Sequence, residues 1–144
     1  MSFTYKYPRP AVTVDCLIFS KINSDNYILL IQRKNNPYKN YWAFPGGFVD
    51  NNEDIEKAAH RELNEETGLE DIKLKQFYTF GKVNRDPRGR TITIAYFGFA
   101  DKNLTNITAN SDAKNAKWIK ITELPKLAFD HNEILNLASK LIDI

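Results

Sequence analysis

A chain of 144 residues with 42% hydrophobic and 26% charged residues has the size and balance of one soluble domain with one core, so residues 1–144 are expected to form a single domain. Twenty basic residues against 18 acidic ones leave a net charge of +2. So even a balance gives no long-range field for steering onto nucleic acid or an anionic membrane, and neither is expected as a partner.

The opening MSFTYKYPRP is polar and proline-bearing, unlike a signal peptide, and reads as an irregular lead-in over 1–10. VTVDCLIF, 12–19, is β-branched and apolar and predicts a strand. It holds the lone Cys16, whose apolar neighbours indicate packing rather than chemistry. One cysteine excludes an internal disulfide and suits a reducing compartment. No run approaches 18 apolar residues, so a cytoplasmic location is expected.

KINSDN, 21–26, predicts a turn, and YILLIQRK, 27–34, a second strand able to form a hairpin with the first. NNPYKNYWAFPGG, 35–47, is a loop, with a short extended piece at Trp42–Phe44. Over 54–67, Ile55, Ala59 and Leu63 recur every four residues and mark one helix face. Asn51 or Asn52 is expected to cap this helix, Asp54 to lie in its first turn, and Gly68 to end it. KLKQFYTFG, 73–81, and TITIAYFGFA, 91–100, predict strands on either side of a basic loop at 82–90. The Asn-rich stretch 105–115 reads as an exposed loop, and AKWIKI, 116–121, as a short strand. A final helix from about Asn132 presents Ile134, Leu135, Ala138, Leu141 and Ile142 at helical spacing. A mixed sheet with helices packed against it, an α/β fold, satisfies this order.

Glu62, Glu65 and Glu66 fall three and four residues apart, on one side of the predicted central helix. Like charges so placed cost roughly 0.2–0.5 kcal/mol, and the end of a helix disfavours them further. Two readings stay open on spacing alone. One is an ordinary acidic solvent face; the other is an oxygen-rich site for Mg²⁺. Arg61 stands four residues before Glu65 and can orient that carboxylate. Gly46 and Gly47 allow close approach of the backbone, and Ala58 and Ala59 let the helix lie near the sheet.

Arg85, Arg88 and Arg90 form the densest cationic cluster. They suit contact with substrate phosphate or ribose, support of the site across a dimer interface, or an ordinary basic turn. Asp86 can orient one of them or cap the turn. Tyr38 and Tyr41 precede the glycines and stand nearer a ligand, whereas Tyr7, Phe44, Tyr78 and Phe80 are candidates for base stacking or for core packing. His60 points away from the glutamates and reads as surface.

The run from Gly47 to Leu69 resembles the Nudix box at every fixed position: Gly47, Glu53, Arg61, Glu62, Leu63, Glu65, Glu66, Gly68 and Leu69. The resemblance implies a mixed-sheet α/β/α sandwich with a loop–helix–loop motif. It also implies Mg²⁺, with Mn²⁺ as a substitute, held by Glu62, Glu65 and Glu66 and by the Gly46 carbonyl. Gly47 would lie at the substrate, Glu53 would position the carboxylates, and Arg61 would hold a glutamate in place.

Softer matches run through TVDCLIF, QRKNNPYKNYWAFPGGFV, YTFGKVNRDPRGRTITIAYFG and LAFDHNEIL, and resemble the ADP-ribose pyrophosphatase branch. They imply hydrolysis of ADP-ribose to AMP and ribose 5-phosphate. In that chemistry Glu65 would serve as base, or Asp130 or Glu133 from the following loop. His131 is a further candidate because an unperturbed imidazole titrates near neutrality. The resemblance also implies a homodimer. Relatives include regulators of NAD metabolism that carry an added winged-helix domain, for which the chain beyond DHNEIL leaves no room. Alternatives are another nucleoside diphosphate derivative (a nucleotide sugar, NADH or a nucleoside triphosphate) or a non-catalytic ADP-ribose sensor.

Overall fold

In the apolar run near the start of the chain, successive side chains point to opposite faces, and both faces are buried. This is the pattern of a central strand. A computed structural model, which describes residues 2–110 and 112–144, shows why. The strand β1 (Ala11–Ile22) pairs with β2 (Asp25–Arg33) as an antiparallel hairpin, and with β6 (Thr91–Phe99) in parallel from Ala11 opposite Thr91 to Phe19 opposite Phe99. The short β3 (Trp42–Ala43) pairs with β2, β4 (Gly46–Phe48) with β1, and β5 (Lys75–Phe80) with β6. A last strand, β7 (Ala113–Lys120), lies antiparallel to β2. Together the described residues form one mixed sheet of seven strands.

Two helices close its faces. Val14, Cys16 and Ile18 of β1 pack with Ala58, Ala59 and Leu63 of α1 (Ile55–Thr67). Leu17 and Phe19 point the other way, to Ile134, Leu135 and Ala138 of α2 (His131–Leu141). The alternation of one strand thus defines both cores of an α/β/α sandwich. Small residues at 58 and 59 bring α1 close, and the Cys16 thiol contacts the Ala59 carbonyl at 3.5 Å. Gly68 ends α1 at φ 78°, a left-handed position that glycine takes without a Cβ penalty.

Several boundaries differ from the expectations. β1 runs on to Ile22, so the expected turn at 21–26 shrinks to Asn23–Ser24, with Asn23 at φ 55°. The N-cap of α1 is Asp54 itself, in extended conformation and without a side-chain cap bond, rather than Asn51 or Asn52. Ile55, expected on the buried face, remains 36% exposed. β4 falls inside and just beyond the expected loop: its three residues are too few, and too rich in glycine, to carry a strand signal. β7 begins at Ala113, three residues earlier than AKWIKI suggests, because pairing with β2 overrides the polar character of Lys114 and Asn115. Leu141 is 57% exposed, and Ile142 takes its place in the core. Met1 of the lead-in and Ser111 of the Asn-rich stretch lie outside the described residues. No helix among the described residues is long and apolar enough to cross a membrane.

Candidate functional site

The antiparallel pairing of β4 with β1 sets Gly46 opposite Asp15 and Gly47 opposite Val14, directly beside the last turns of α1. Gly46 N–H donates to Glu66 Oε1 at 2.7 Å. A Cβ on Gly47 would sit 2.5 Å from the carboxylate carbon of Glu62, so only glycine leaves that carboxylate its place.

Arg61 is the hub of the acidic side. Its Nε and Nη2 donate to the two oxygens of Glu53 at 2.6 and 3.0 Å. Its Nη1 donates to Glu62 at 2.8 Å and to Glu65 at 3.1 Å, and its Nη2 also donates to the Phe48 carbonyl at 3.1 Å. The expected contact with Glu65 is present, but it is one of three carboxylates held by a single guanidinium. Glu53 further accepts from Asp50 N–H at 3.1 Å, which ties the turn before α1 to the same hub. The Arg61 hydrogen bond holds the Glu53 carboxyl below its ordinary range.

Glu62 and Glu66 behave differently. Burial pushes the Glu62 carboxyl up despite Arg61. Burial pushes Glu66 to about 8, with Glu62, Asp15 and Asp112 adding repulsion and the Gly46 N–H opposing it. Among the described residues no three His, Cys, Asp or Glu groups stand together as a preformed ligand set. The donor chemistry nevertheless fits a hard divalent cation. Glu62, Glu65, Glu66 and the Gly46 carbonyl offer oxygen alone, and a dication would remove the penalty of ionising Glu66.

These groups line a cleft of ≈ 430 Å³ together with Arg33, Arg85 and Arg88. Asp86, buried beneath the loop, accepts from Arg88 N–H at 2.9 Å and from its Nη2 at 2.7 Å. The Arg88 guanidinium lies between the rings of Phe48 at 4.7 Å and Phe129 at 5.0 Å. Arg33 stands 4.9 Å from the same Phe129 ring, with its Nε donating to the Pro37 carbonyl at 2.8 Å. Burial and the charge of Arg88 lower the Arg33 pKa. Phe129 holds φ at 51°, an uncommon conformation for a bulky residue.

Of the three loop arginines, only Arg88 offers its head group to the cleft in this manner. Arg85 lines the cleft but is buried, and its Nε and Nη2 donate to the two oxygens of Asp130 at 2.8 and 2.6 Å. Arg85, for which substrate contact was one of three readings, is thus tied to Asp130, a candidate loop acid that serves here as its counter-ion. Arg90 and Glu133 are exposed and do not line the cleft; neither does Tyr41, which packs edge-on to Tyr38. His131 does line it, buried, with Nδ1 accepting from Phe44 N–H at 3.2 Å, so that nitrogen is not available as a base. Phe44 is the one stacking candidate at the cleft; Tyr7, Tyr78 and Phe80 do not line it, and His60 is exposed. Asp15, Arg33, Asp112 and Phe129 also line the cleft without having been singled out from the sequence. Asp15 alone carried a signal, a charge inside an otherwise apolar strand.

Comparison with known proteins adds a lineage to this geometry. Residues 9–138 match the model of the NUDIX domain. The chain is 41% identical over 140 residues to the ADPR responsive transcriptional repressor NtrR of Acinetobacter baylyi, covering 92% of this chain and 54% of the repressor. It is 44% identical over 129 residues to the ADP-ribose pyrophosphatase of Methanocaldococcus jannaschii, covering 90% of this chain and 73% of that protein. The chain therefore spans about half the length of the repressor. Among solved structures, the NUDIX domain of Shewanella oneidensis NrtR complexed with ADP ribose superposes with a TM-score of 0.85 at 28% identity, covering 95% of this chain and 91% of that one. Shewanella oneidensis NrtR complexed with a 27mer DNA superposes with a TM-score of 0.72 at 29% identity, covering 91% of this chain and 61% of that one.

These relatives overturn the exclusion of nucleic acid drawn from charge. A repressor and a DNA complex share this fold over nine tenths of the present chain. Net charge averages over a whole surface, and it carries no information about a local basic face or about what a fold is coupled to.

Proposed function

This chain belongs to the NUDIX family of hydrolases, and from that premise we propose that it hydrolyses the diphosphate of a nucleoside diphosphate derivative of the ADP-ribose class, with Mg²⁺ or Mn²⁺. The observation that supports this reading best is a shared cleft: three box glutamates, Arg88 and Arg33 all line it. A diphosphate needs both. Its charge calls for cations, and guanidinium forks match phosphate oxygens.

Glu62, Glu65, Glu66 and the Gly46 carbonyl would hold the metal. Bound there, it would supply neutralisation of the diphosphate and activation of water. Glu65 is the most exposed of the three, with 46% of its side chain accessible, and reaches solvent in the cleft; it is the residue to take the proton from the attacking water. Arg61, anchored on Glu53, keeps Glu62 and Glu65 from splaying apart under mutual repulsion. Arg88, braced by Asp86, and Arg33 would grip the phosphates. With ADP-ribose as substrate the products would be AMP and ribose 5-phosphate. Residues 1–144 are taken as one domain that carries all of these parts.

A second reading has its own support. A repressor 41% identical to this chain is described as ADPR responsive, and a similar NUDIX domain is complexed with ADP ribose. On this reading the cleft binds ADP-ribose and turnover is absent.

One experiment separates the two. Protein is mixed with ADP-ribose and Mg²⁺, products are identified by mass, and binding to metal-free protein is measured by calorimetry, with Glu65→Gln alongside. AMP and ribose 5-phosphate, lost in the mutant, support the hydrolase. Saturable binding without products supports the sensor. Neither binding nor products removes the ADP-ribose class from both readings.

A further inference from the structure

His131 opens α2 and is 3% exposed. Its ring lies against that of Phe44, centroids 4.5 Å apart and planes 13° from parallel. Its Nδ1 accepts the hydrogen bond from Phe44 N–H at 3.2 Å. An accepting nitrogen carries no proton, so in the neutral ring the proton sits on Nε2. That nitrogen faces Asp15 Oδ1 at 3.5 Å, while Asp15 Oδ2 accepts from Thr93 Oγ1 at 2.5 Å. Burial favours the neutral imidazole, against the pull of Asp15 and Asp130. Nδ1 is therefore committed, and the Phe44 N–H fixes the tautomer of the neutral ring.

The backbone that His131 grips leads straight into the acidic wall. Phe44 N–H is held by α2, the Pro45 carbonyl accepts from Cys16 N–H of β1 at 2.8 Å, and Gly46 N–H donates to Glu66 of α1 at 2.7 Å. Three consecutive residues are tied to three different elements. The turn that delivers the imidazole is itself strained at Phe129, φ 51°, and is pinned by Asp130 on Arg85. A leucine or phenylalanine at 131 could fill the volume, but neither could accept from a buried N–H.

We propose that His131 is a positioning residue: it fixes the Phe44–Gly46 backbone and, through it, the Glu66 carboxylate in the arrangement that receives a divalent cation. The cation part of this inference rests on the function proposed above. The backbone link does not.

The test uses the full chain with His131→Leu and His131→Asn. Asparagine Oδ1 can stand where Nδ1 stands, so it restores the acceptor without the ring. Amide exchange at Phe44 and Gly46 is followed by NMR in metal-free protein, with strands β5 and β6 as internal references. Mn²⁺ affinity is measured by EPR. In His131→Leu, exchange at Phe44 and Gly46 is expected to rise by about tenfold or more over the reference strands, and Mn²⁺ affinity to fall by roughly tenfold. His131→Asn is expected to recover most of both. Where substrate turns over, kcat falls in His131→Leu with little change in KM. If His131→Leu does not fold, His131→Gln, whose longer side chain carries its carbonyl past the Nδ1 position, takes its place. Wild-type exchange and affinity in the leucine variant would overturn the proposal, as would an asparagine variant that is folded yet as impaired as leucine. If the wild type itself binds no Mn²⁺, the proposed function fails; an exchange difference at Gly46 then still supports the backbone link, and its absence overturns that too.

Discussion

Arg85 and Asp130 clasp one another through two hydrogen bonds of 2.8 and 2.6 Å, with only 4% and 10% of their side chains accessible. The pair joins the loop after β5 to the start of α2, and so carries one wall of the cleft onto the other half of the sandwich. Removing one partner leaves the other charged and buried, which typically costs about 3–5 kcal/mol. Arg85→Ala is accordingly expected to lose about 3–5 kcal/mol of unfolding free energy in urea titration. Arg85→Met combined with Asp130→Leu should lose clearly less. An Arg85→Ala protein of unchanged stability would return Arg85 to the ligand contacts.

Gly46 and Gly47 are adjacent, yet their alanine variants should fail in different ways. A Cβ on Gly46 would collide with the backbone carbonyl of Val14, and the β1–β4 pairing would have to open. A Cβ on Gly47 meets only the end of the Glu62 side chain, which can swing aside. Gly46→Ala is expected to lower the melting temperature substantially. Gly47→Ala should melt within a few degrees of wild type while Mn²⁺ affinity drops. Calorimetry and metal titration on the two proteins decide the matter, and equal melting temperatures would contradict it.

Glu66 ties pH to stability. Its carboxyl is pushed up to about 8 in the folded chain, against an ordinary value of 4.5 when unfolded. Between those values the folded state holds a proton that the unfolded state has released, so stability falls as pH rises. Metal-stripped protein should therefore lose melting temperature steadily from about pH 5 to pH 8. Mg²⁺ should flatten that slope, because ionised Glu66 then has a partner, and Mg²⁺ affinity should climb over the same range. A metal-free protein whose stability is level or rising across this window would show that Glu66 is not desolvated as described.

Replacing Arg61 with lysine keeps the charge and loses the fork. Lysine has one ammonium and cannot span Glu53, Glu62 and Glu65 at once. Loss of such a supporting contact typically costs 10–100-fold in metal affinity or activity. Arg61→Lys is expected to fold and to fall about 10–100-fold in kcat/KM wherever a substrate is turned over, or in Mn²⁺ affinity otherwise. Glu53→Gln should show a smaller loss of the same kind.

What could be read in advance followed from local periodicity. The alternation of β1, the four-residue spacing on α1 and Gly68 beyond its end are properties of neighbouring residues, and the structure keeps them. What could not be read depends on partners far away in the chain. Arg85 stayed open between a ligand contact and an ordinary basic turn because its counter-ion lies 45 residues on. His131 stayed a candidate base because nothing local reveals that Phe44, 87 residues earlier, has claimed its Nδ1. Arg33 and Phe129 meet only after the sheet has formed. Asp15 was the exception, since a carboxylate in an apolar strand announces a buried requirement, here met by Thr93.

The parallel pairing of β1 with β6 sets an order of events during synthesis. Asp15 and Thr93 are 78 residues apart, and closing so large a loop is slow compared with forming a hairpin or a helix. The ribosome therefore delivers the whole of α1, with its crowded glutamates and Arg61, well before β6, the parallel partner of β1, exists. Among the described residues, the ion pairs of that acid-rich segment are made by Arg61, which is born together with it. In the nascent chain its early grip on Glu53 and Glu65 would offset the repulsion within a helix whose sheet still lacks β5, β6 and β7.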